Sequence, residues 1–249
     1  MRWRYINTGF HTGTFNMQFD ESLAEGLLTG DGSPSLRVYG WSPPAISVGY
    51  NQSTDDFDIT KLHVAGIDII RRPTGGRAIL HAHELTYSVA MKIEGRSLHE
   101  IYRQINVALL EGLRNLGIEA QLSQQGSNFS QMSKEPSFAL CFFTSAKHEI
   151  QFSGQKLIGS AQRRYGDVVL QHGSLLLGPQ HRRLVEFLSL KSREGIEVSV
   201  DGHATDAQTI LKRSITFEEA AIAVKKGFEE TFDMKFLEEP AAELEDIVA

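Results

Sequence analysis

The sequence offers a single thiol, Cys141. An intramolecular disulfide is therefore excluded, and a reducing compartment is the expected setting. No apolar run approaches the length that spans a bilayer. The opening stretch, MRWRYINTGF, lacks the apolar core of a secretory signal. The expectation is a cytoplasmic protein with no membrane partner. Positive charge is also short, with 25 lysines and arginines against 31 aspartates and glutamates and a formal net charge of −6. That balance argues against a general nucleic-acid binder, although it leaves room for local basic patches. Nothing repeats and no linker-like stretch divides the chain, so one domain over residues 1–249 is the default reading. Residues 237–249 form an acidic tail, read as a frayed helix or a disordered end.

Hydrophobic residues make up 41% and charged residues 22%, ordinary for a globular protein that buries a core. Residues 3–7 read as a strand. Apolar residues at near-helical spacing mark a helix over 16–28, stopped by Gly30. Short strands at 36–39 and 45–48 flank the constrained turn Gly40-Trp41-Ser42-Pro43-Pro44, and a short helix over 59–65 closes at Gly66. Residues 67–70 read as a buried strand and 85–91 as a second apolar run. Ser97 and Glu100 have capping-box spacing, and the stripe Leu98, Ile101, Ile105, Leu109, Leu113 predicts a helix ending at Gly117. Residues 123–137 are a long Ser/Gln-rich loop leading into the apolar run 138–143. Residues 149–152 and 156–162 form a hairpin about Ser153-Gly154-Gln155. A strand over 168–177 carries a polar interruption at Gln171-His172-Gly173-Ser174. Helices are expected over 180–190 and 216–232, the latter with Thr216 and Glu219 in capping-box positions.

Few side chains have the chemistry of a reacting group. Cys141 follows a long irregular loop and could serve as a thiolate nucleophile, but its apolar neighbours also suit a buried structural cysteine. Lys156 opens a strand beside the small residues Gly159-Ser160-Ala161, where a ligand could pass close to backbone. It could be a base or a carbonyl-binding group, or simply an exposed strand-end lysine. The stretch Arg71-Arg72-Pro73-Thr74-Gly75-Gly76-Arg77 reads either as an anion cradle of bare backbone and guanidinium or as a tight hairpin whose arginines face water. It is not a P-loop, because no lysine and hydroxyl follow the glycines. His81 and His83 share a strand face, yet only Glu84 lies nearby to extend a ligand set, so no metal is expected. His148 and His172 are further general-base candidates.

Together these segments resemble the lipoate–protein ligase and octanoyltransferase superfamily. The similarity lies in the run Arg71 to His81 followed by Glu84-Leu85-Thr86-Tyr87-Ser88-Val89. It continues in Gly154-Gln155-Lys156-Leu157-Ile158-Gly159-Ser160-Ala161-Gln162 and in Leu170-Gln171-His172-Gly173-Ser174-Leu175. It covers about residues 3–190. Leu140-Cys141-Phe142 stands where the cysteine-dependent octanoyl-carrier-protein:protein N-octanoyltransferases of Gram-positive bacteria keep their nucleophile. Two positions depart from the pattern: Ala82 replaces an acidic residue, and Leu140 a small one.

The resemblance implies an α+β fold shared with biotin ligases, a mixed β-sheet with flanking helices and a smaller second sheet. It implies Cys141 and Lys156 as the catalytic pair, with Lys156 at the acyl carbonyl. The substrate site would comprise Arg72, Gly75, Gly76, Arg77, His81, Gly159, Ser160, Ala161, His172 and Gly173. The expected reaction takes octanoyl from acyl carrier protein onto Cys141 and then onto a lysine of a lipoyl-domain protein, such as glycine cleavage H protein or a 2-oxoacid dehydrogenase subunit. No ATP, metal or other cofactor is required. Arg163-Arg164 and Arg182-Arg183 are candidate docking sites for the acidic carrier, or ordinary solvated charge. Three other readings stand beside this one: an ATP-dependent lipoate–protein ligase, an octanoyl amidotransferase between lipoyl domains, and a non-catalytic acyl- or biotinyl-binding regulator.

Overall fold

The computed structural model describes residues 3–123, 149–193 and 202–238. Cys141, His148, residues 124–143 and the tail from 239 onward lie outside them.

The described chain runs β1 (Arg4–His11), α1 (Gly13–Thr29), β2 (Ser35–Trp41), β3 (Ala45–Val48), α2 (Ile59–Val64), β4 (Asp68–Arg71), β5 (Ile79–His81) and β6 (Glu84–Lys92). It continues through α3 (Leu98–Asn115), β7 (Gln121–Leu122), β8 (Ile150–Phe152), β9 (Gln155–Tyr165) and β10 (Val168–Leu176). A 3-10 segment (Pro179–Phe187), α4 (Leu190–Arg193), α5 (Ala207–Leu211), α6 (Phe217–Phe232) and β11 (Leu237–Glu238) follow. The large sheet has the order β11-β1-β2-β6-β10-β9-β8-β7, and the small one β4-β3-β5. Pairing is parallel at β11/β1, β1/β2 and β3/β4, and antiparallel elsewhere. Two mixed sheets with flanking helices are the expected α+β architecture. Among the described residues, no helix is long and apolar enough to cross a membrane.

Strand alternation divides the large sheet into two unlike faces. Leu85, Tyr87, Val89 and Met91 of β6, with Val169 and Leu175 of β10, join the main core beneath α3 and α6. The intervening positions point the other way, toward α1. There Ala90, Val168 and Leu170 meet Phe19, Leu23, Ala24 and Leu27. Glu84, Thr86, Ser88, His172 and Ser174 occupy that same face and are all buried. The polar run 171–174 therefore interrupts nothing: β10 is continuous, and its polar side chains alternate within it.

The local signals for helices hold. Thr12 caps α1 by accepting from Phe15 N, and Gly30 closes it in the left-handed region. Both halves of the Ser97–Glu100 capping box form. Thr216 accepts from Glu219 N at the start of α6, while the Glu219 carboxylate pairs with Arg213 instead.

Four expectations change. Residues 67–70 are not a buried strand, because β4 is an edge of the small sheet with Asp68 and Arg71 exposed. β4 and β5 do not form a hairpin about Gly75-Gly76, since each pairs with β3 from opposite sides. The α-helix expected over 180–190 is a 3-10 segment. Its buried residues, His181, Leu184 and Phe187, repeat every three positions, the 3-10 period rather than the α period. The tail begins with neither helix nor coil, since Leu237 and Glu238 add a short parallel strand to β1.

Candidate active site

The connection from β4 to β5 crosses the end of β3, and it is tied down from several directions. Arg71 Nη1 donates to the carbonyls of Gly49, Tyr50 and Gln52 at 2.6–2.9 Å. Arg72 is buried, and its guanidinium donates to the carbonyls of Ser47, Gly75 and Arg77 and to Ser47 Oγ. Arg163 Nη1 holds the Pro73 carbonyl at 2.9 Å. Thr74 Oγ1 lies 2.6 Å from His172 Nε2. Gly76 completes the turn at φ +93°, a conformation that disfavours any side chain. Arg72 therefore does not face water, and Arg71, although exposed, turns its Nη1 donors to backbone rather than to an anion. These donors satisfy carbonyls of the turn itself and of the segment 47–52.

Lys156 is not an exposed strand-end lysine. It is the second residue of β9, after the turn Ser153-Gly154 with φ +50° and +79°, the geometry of a tight primed hairpin turn. Its side chain is buried, and Nζ donates to Glu149 Oε1 at 2.6 Å. Its backbone is held by the chain before α5: Lys156 N donates to His203 O, and Thr205 N donates to Lys156 O.

Further along β9, Gly159, Ser160 and Ala161 pair with Ser174, Gly173 and His172 of β10. A Cβ on Gly173 would lie 2.5 Å from Gly159 O and 2.7 Å from both Ser160 Oγ and Tyr87 Cε1. Nothing larger than glycine fits there without parting the strands. Gly173→Ala is expected to lower stability by about 1–3 kcal/mol, the usual cost of overpacking, read from chemical unfolding.

Above this floor lies a cavity of about 430 Å³. Arg72, Gly75, Gly76, Arg77, His81, Lys156, Gly159, Ser160, Ala161, His172 and Gly173 all line it. Thus every expected site residue that the structure describes reaches one cavity, although they come from segments about one hundred positions apart. Met17, Tyr39, Trp41 and Ile79 supply apolar wall. Cys141 lies outside the described residues. Of the proposed docking arginines, Arg163 is turned to Pro73, and Arg164 donates to the Gly166 carbonyl. Arg182 lies 3.7 Å from Asp206 and Arg183 pairs with Glu186. Among the described residues no group of acidic, histidine or cysteine side chains could hold a metal.

Two buried polar networks beneath the cavity escaped the sequence reading. The first centres on Asp20 of α1. Its carboxylate accepts from Arg37 Nη1 (2.8 Å), Ser88 Oγ (2.7 Å) and Tyr39 Oη (2.8 Å), with His172 Nδ1 at 3.2 Å. Burial alone would raise the Asp20 pKa, but Arg37, and then His172, hold it below the usual aspartate value. Arg37 is fully buried and also donates to Thr8 Oγ1, Asn16 O and Asn16 Oδ1. The second network centres on Glu84, which His81, Thr86 and Ser174 all approach. The available signal was polar residues at core positions: Asn16 and Asp20 fall on the helix stripe continued by Leu23 and Leu27.

His172 bridges the first network to the glycine turn. Burial pushes its pKa below the usual histidine value, against the pull of Asp20. Unfolded chains titrate at about 6.5, so below that pH the unfolded state takes up a proton that native His172 resists. Stability should fall as pH drops through this window. Melting temperature against pH is the readout, and His172→Gln should flatten that limb of the curve.

Comparison with known proteins decides the relationship. The lipoyl protein ligase A/B catalytic domain family matches residues 12–229. The chain belongs to that family. It is 36% identical over 243 residues to octanoyltransferase LipM of Carboxydothermus hydrogenoformans, covering 94% of this chain and 88% of the relative. It is 35% identical over 236 residues to LipM of Bacillus subtilis, covering 91% and 85%. Relatives this similar over most of the chain make octanoyl transfer in protein lipoylation its activity. Among solved structures, lipoate-protein ligase A bound with ATP superposes with a TM-score of 0.78 at 22% identity, over all of this chain and 93% of that one. A bipartite lipoate protein ligase from Thermoplasma acidophilum, studied with its E2 lipoyl domain, gives 0.79 at 22% over all of this chain and 91% of that one. At such identity these two report the fold alone.

Proposed function

We propose that this enzyme carries the octanoyl group on Cys141 as a thioester, in two transfers. The Cys141 thiolate attacks the octanoyl thioester of an acyl carrier protein, and the carrier's thiol leaves. A lysine amine of a lipoyl-domain protein, such as glycine cleavage H protein or a 2-oxoacid dehydrogenase subunit, then attacks the acyl-enzyme. The product is an amide, more stable than the thioester it replaces, so the second step needs no ATP. Dividing the transfer suits two protein substrates that need not bind together. Residues 1–249 act as one catalytic domain. The cytoplasm is the proposed setting, since a lone catalytic thiol needs a reducing compartment.

One observation chiefly supports the assignment of site residues. Lys156, the Gly75-Gly76 turn, Gly159-Ser160-Ala161 and Gly173 line a single cavity with apolar wall at Met17, Trp41 and Ile79. An acyl chain can lie against that wall while its carbonyl meets Lys156 Nζ. The phosphate reading of the arginines loses support because Arg71 and Arg72 donate to backbone carbonyls.

The test is intact-mass spectrometry of the protein mixed with octanoyl carrier protein, without ATP. The expected result is a hydroxylamine-labile octanoyl adduct, absent in Cys141→Ala and discharged when a lipoyl-domain protein is added. No adduct, with modification of the lipoyl domain only when ATP is present, would favour the ligase. An adduct formed only from an octanoylated lipoyl domain would favour the amidotransferase.

A further inference from the structure

We propose that Ser47, His81 and Glu84 form a proton relay that serves the second transfer, taking the proton from the incoming lysine amine as it attacks the acyl-enzyme. This rests on the two-step reading above. Ser47 lies in the middle of β3 and His81 ends β5, the antiparallel neighbour. Both line the cavity that Lys156 also lines. Ser47 Oγ is 2.7 Å from His81 Nε2, and His81 Nδ1 is 2.8 Å from Glu84 Oε1.

The surrounding donors fix the direction of this chain. Arg72 Nη1 donates to Ser47 Oγ at 3.1 Å, so the Ser47 hydrogen is left to point at His81 Nε2. With Nε2 accepting, Nδ1 carries the ring hydrogen and donates it to Glu84. The Glu84 carboxylate also accepts from Thr86 Oγ1 and Ser174 Oγ. Thr86 Oγ1 in turn accepts from Trp41 Nε1 at 2.8 Å, and the Trp41 ring stacks on His81 with centroids 4.0 Å apart. The imidazole is thus held on one face and at both nitrogens, in the tautomer that can receive a proton from a hydroxyl. A hydroxyl, an imidazole and a carboxylate in this order make a general-base device. The first transfer exchanges one thiolate for another across a thioester, so no net proton moves in it. Aminolysis moves one, because the attacking nitrogen must shed a proton.

In that step the neutral amine nitrogen bonds to the acyl carbon. The carbon–sulfur bond breaks, and its electron pair leaves on the Cys141 sulfur. The nitrogen's proton goes to Ser47 Oγ as the Ser47 proton passes to His81 Nε2, giving an imidazolium beside Glu84. That imidazolium then releases its proton to water, and Cys141 is left as the thiolate that begins the next cycle. Ser47 is the relay's contact with substrate, and His81 and Glu84 position and charge it.

The two transfers can be timed separately. Wild-type protein, Ser47→Ala and Glu84→Gln are each charged with octanoyl carrier protein, freed of donor, and mixed with a lipoyl-domain protein. Acyl-enzyme is followed by mass in both phases. The expected result is charging at the wild-type rate, with discharge slowed by about 100-fold or more, the range of general-base assistance. A variant that merely misfolds would slow both phases, which is why the milder Ser47→Ala accompanies the buried Glu84→Gln. Discharge at the wild-type rate in charged Ser47→Ala would overturn the relay, as would octanoyl found on Ser47 itself by peptide mapping. Failure of wild-type protein to charge at all would instead overturn the thioester reading on which the relay depends.

Discussion

Asp20→Ala is expected to lose about 3–5 kcal/mol of stability, the cost of breaking a buried ion pair by removing one member. Asp20 and Arg37 are both 0% exposed, and their contact is 2.8 Å. Without the carboxylate, the Arg37 guanidinium keeps Thr8 and Asn16 as partners but loses its 2.8 Å ion-pair partner. Tyr39 Oη, Ser88 Oγ and His172 Nδ1 lose the same acceptor. For a chain of this size the loss corresponds to a fall in melting temperature of about 6–20 °C. Asp20→Asn keeps the shape and one acceptor oxygen, so it should fall between wild type and alanine. Differential scanning calorimetry of the three proteins is the measurement, and an Asp20→Ala protein that melts with wild type would sink the idea of a central hub. The consequence reaches function because the hub holds His172, and His172 holds Thr74 before the glycine turn.

Lys156→Ala should combine a catalytic and a structural loss, and the two can be separated. Removing a donor aimed at a developing oxyanion typically lowers the rate by about 10²–10³-fold. The same change takes the 2.6 Å ion-pair partner from the Glu149 carboxylate, whose side chain is only 5% exposed. Lys156→Ala should therefore also be destabilised by several kcal/mol, roughly the 3–5 expected for a broken buried pair. Adding Glu149→Gln removes that buried charge. The double variant should recover much of the stability while remaining as inactive as the single one. Recovery of acyl transfer along with stability would show that Lys156 matters only to the fold.

Much of the secondary structure was legible because its signals are local. The Ser97–Glu100 box, the Gly30 stop and the Ser153-Gly154 turn act within a few residues, and the structure forms all three. The period of the pattern was also present where it was misread. His181, Leu184 and Phe187 are three apart, which is the 3-10 repeat. Glu84, Thr86 and Ser88 alternate with Leu85, Tyr87 and Val89, so two faces of β6 were visible in the letters. That alternation ordinarily means one face in the core and one in water. Here α1 covers the polar face with Asn16 and Asp20, and alternation along one strand carries no information about what lies across it.

By itself the sequence determined the family, most of the helices and strands, and the residue types able to react, because each depends on short segments and their chemistry. Only the tertiary structure decided what the arginines beside the double glycine do, since β3 and the residues just after it bring the carbonyls of Ser47, Gly49, Tyr50 and Gln52 alongside them. It also decided that Lys156 is buried against Glu149, and that segments near 75, 160 and 172 share one cavity. Strand order sets these relations. β6 lies between β2 and β10 through pairings distant in the chain that no local spacing encodes, and these carry the local β9–β10 hairpin to the cavity floor.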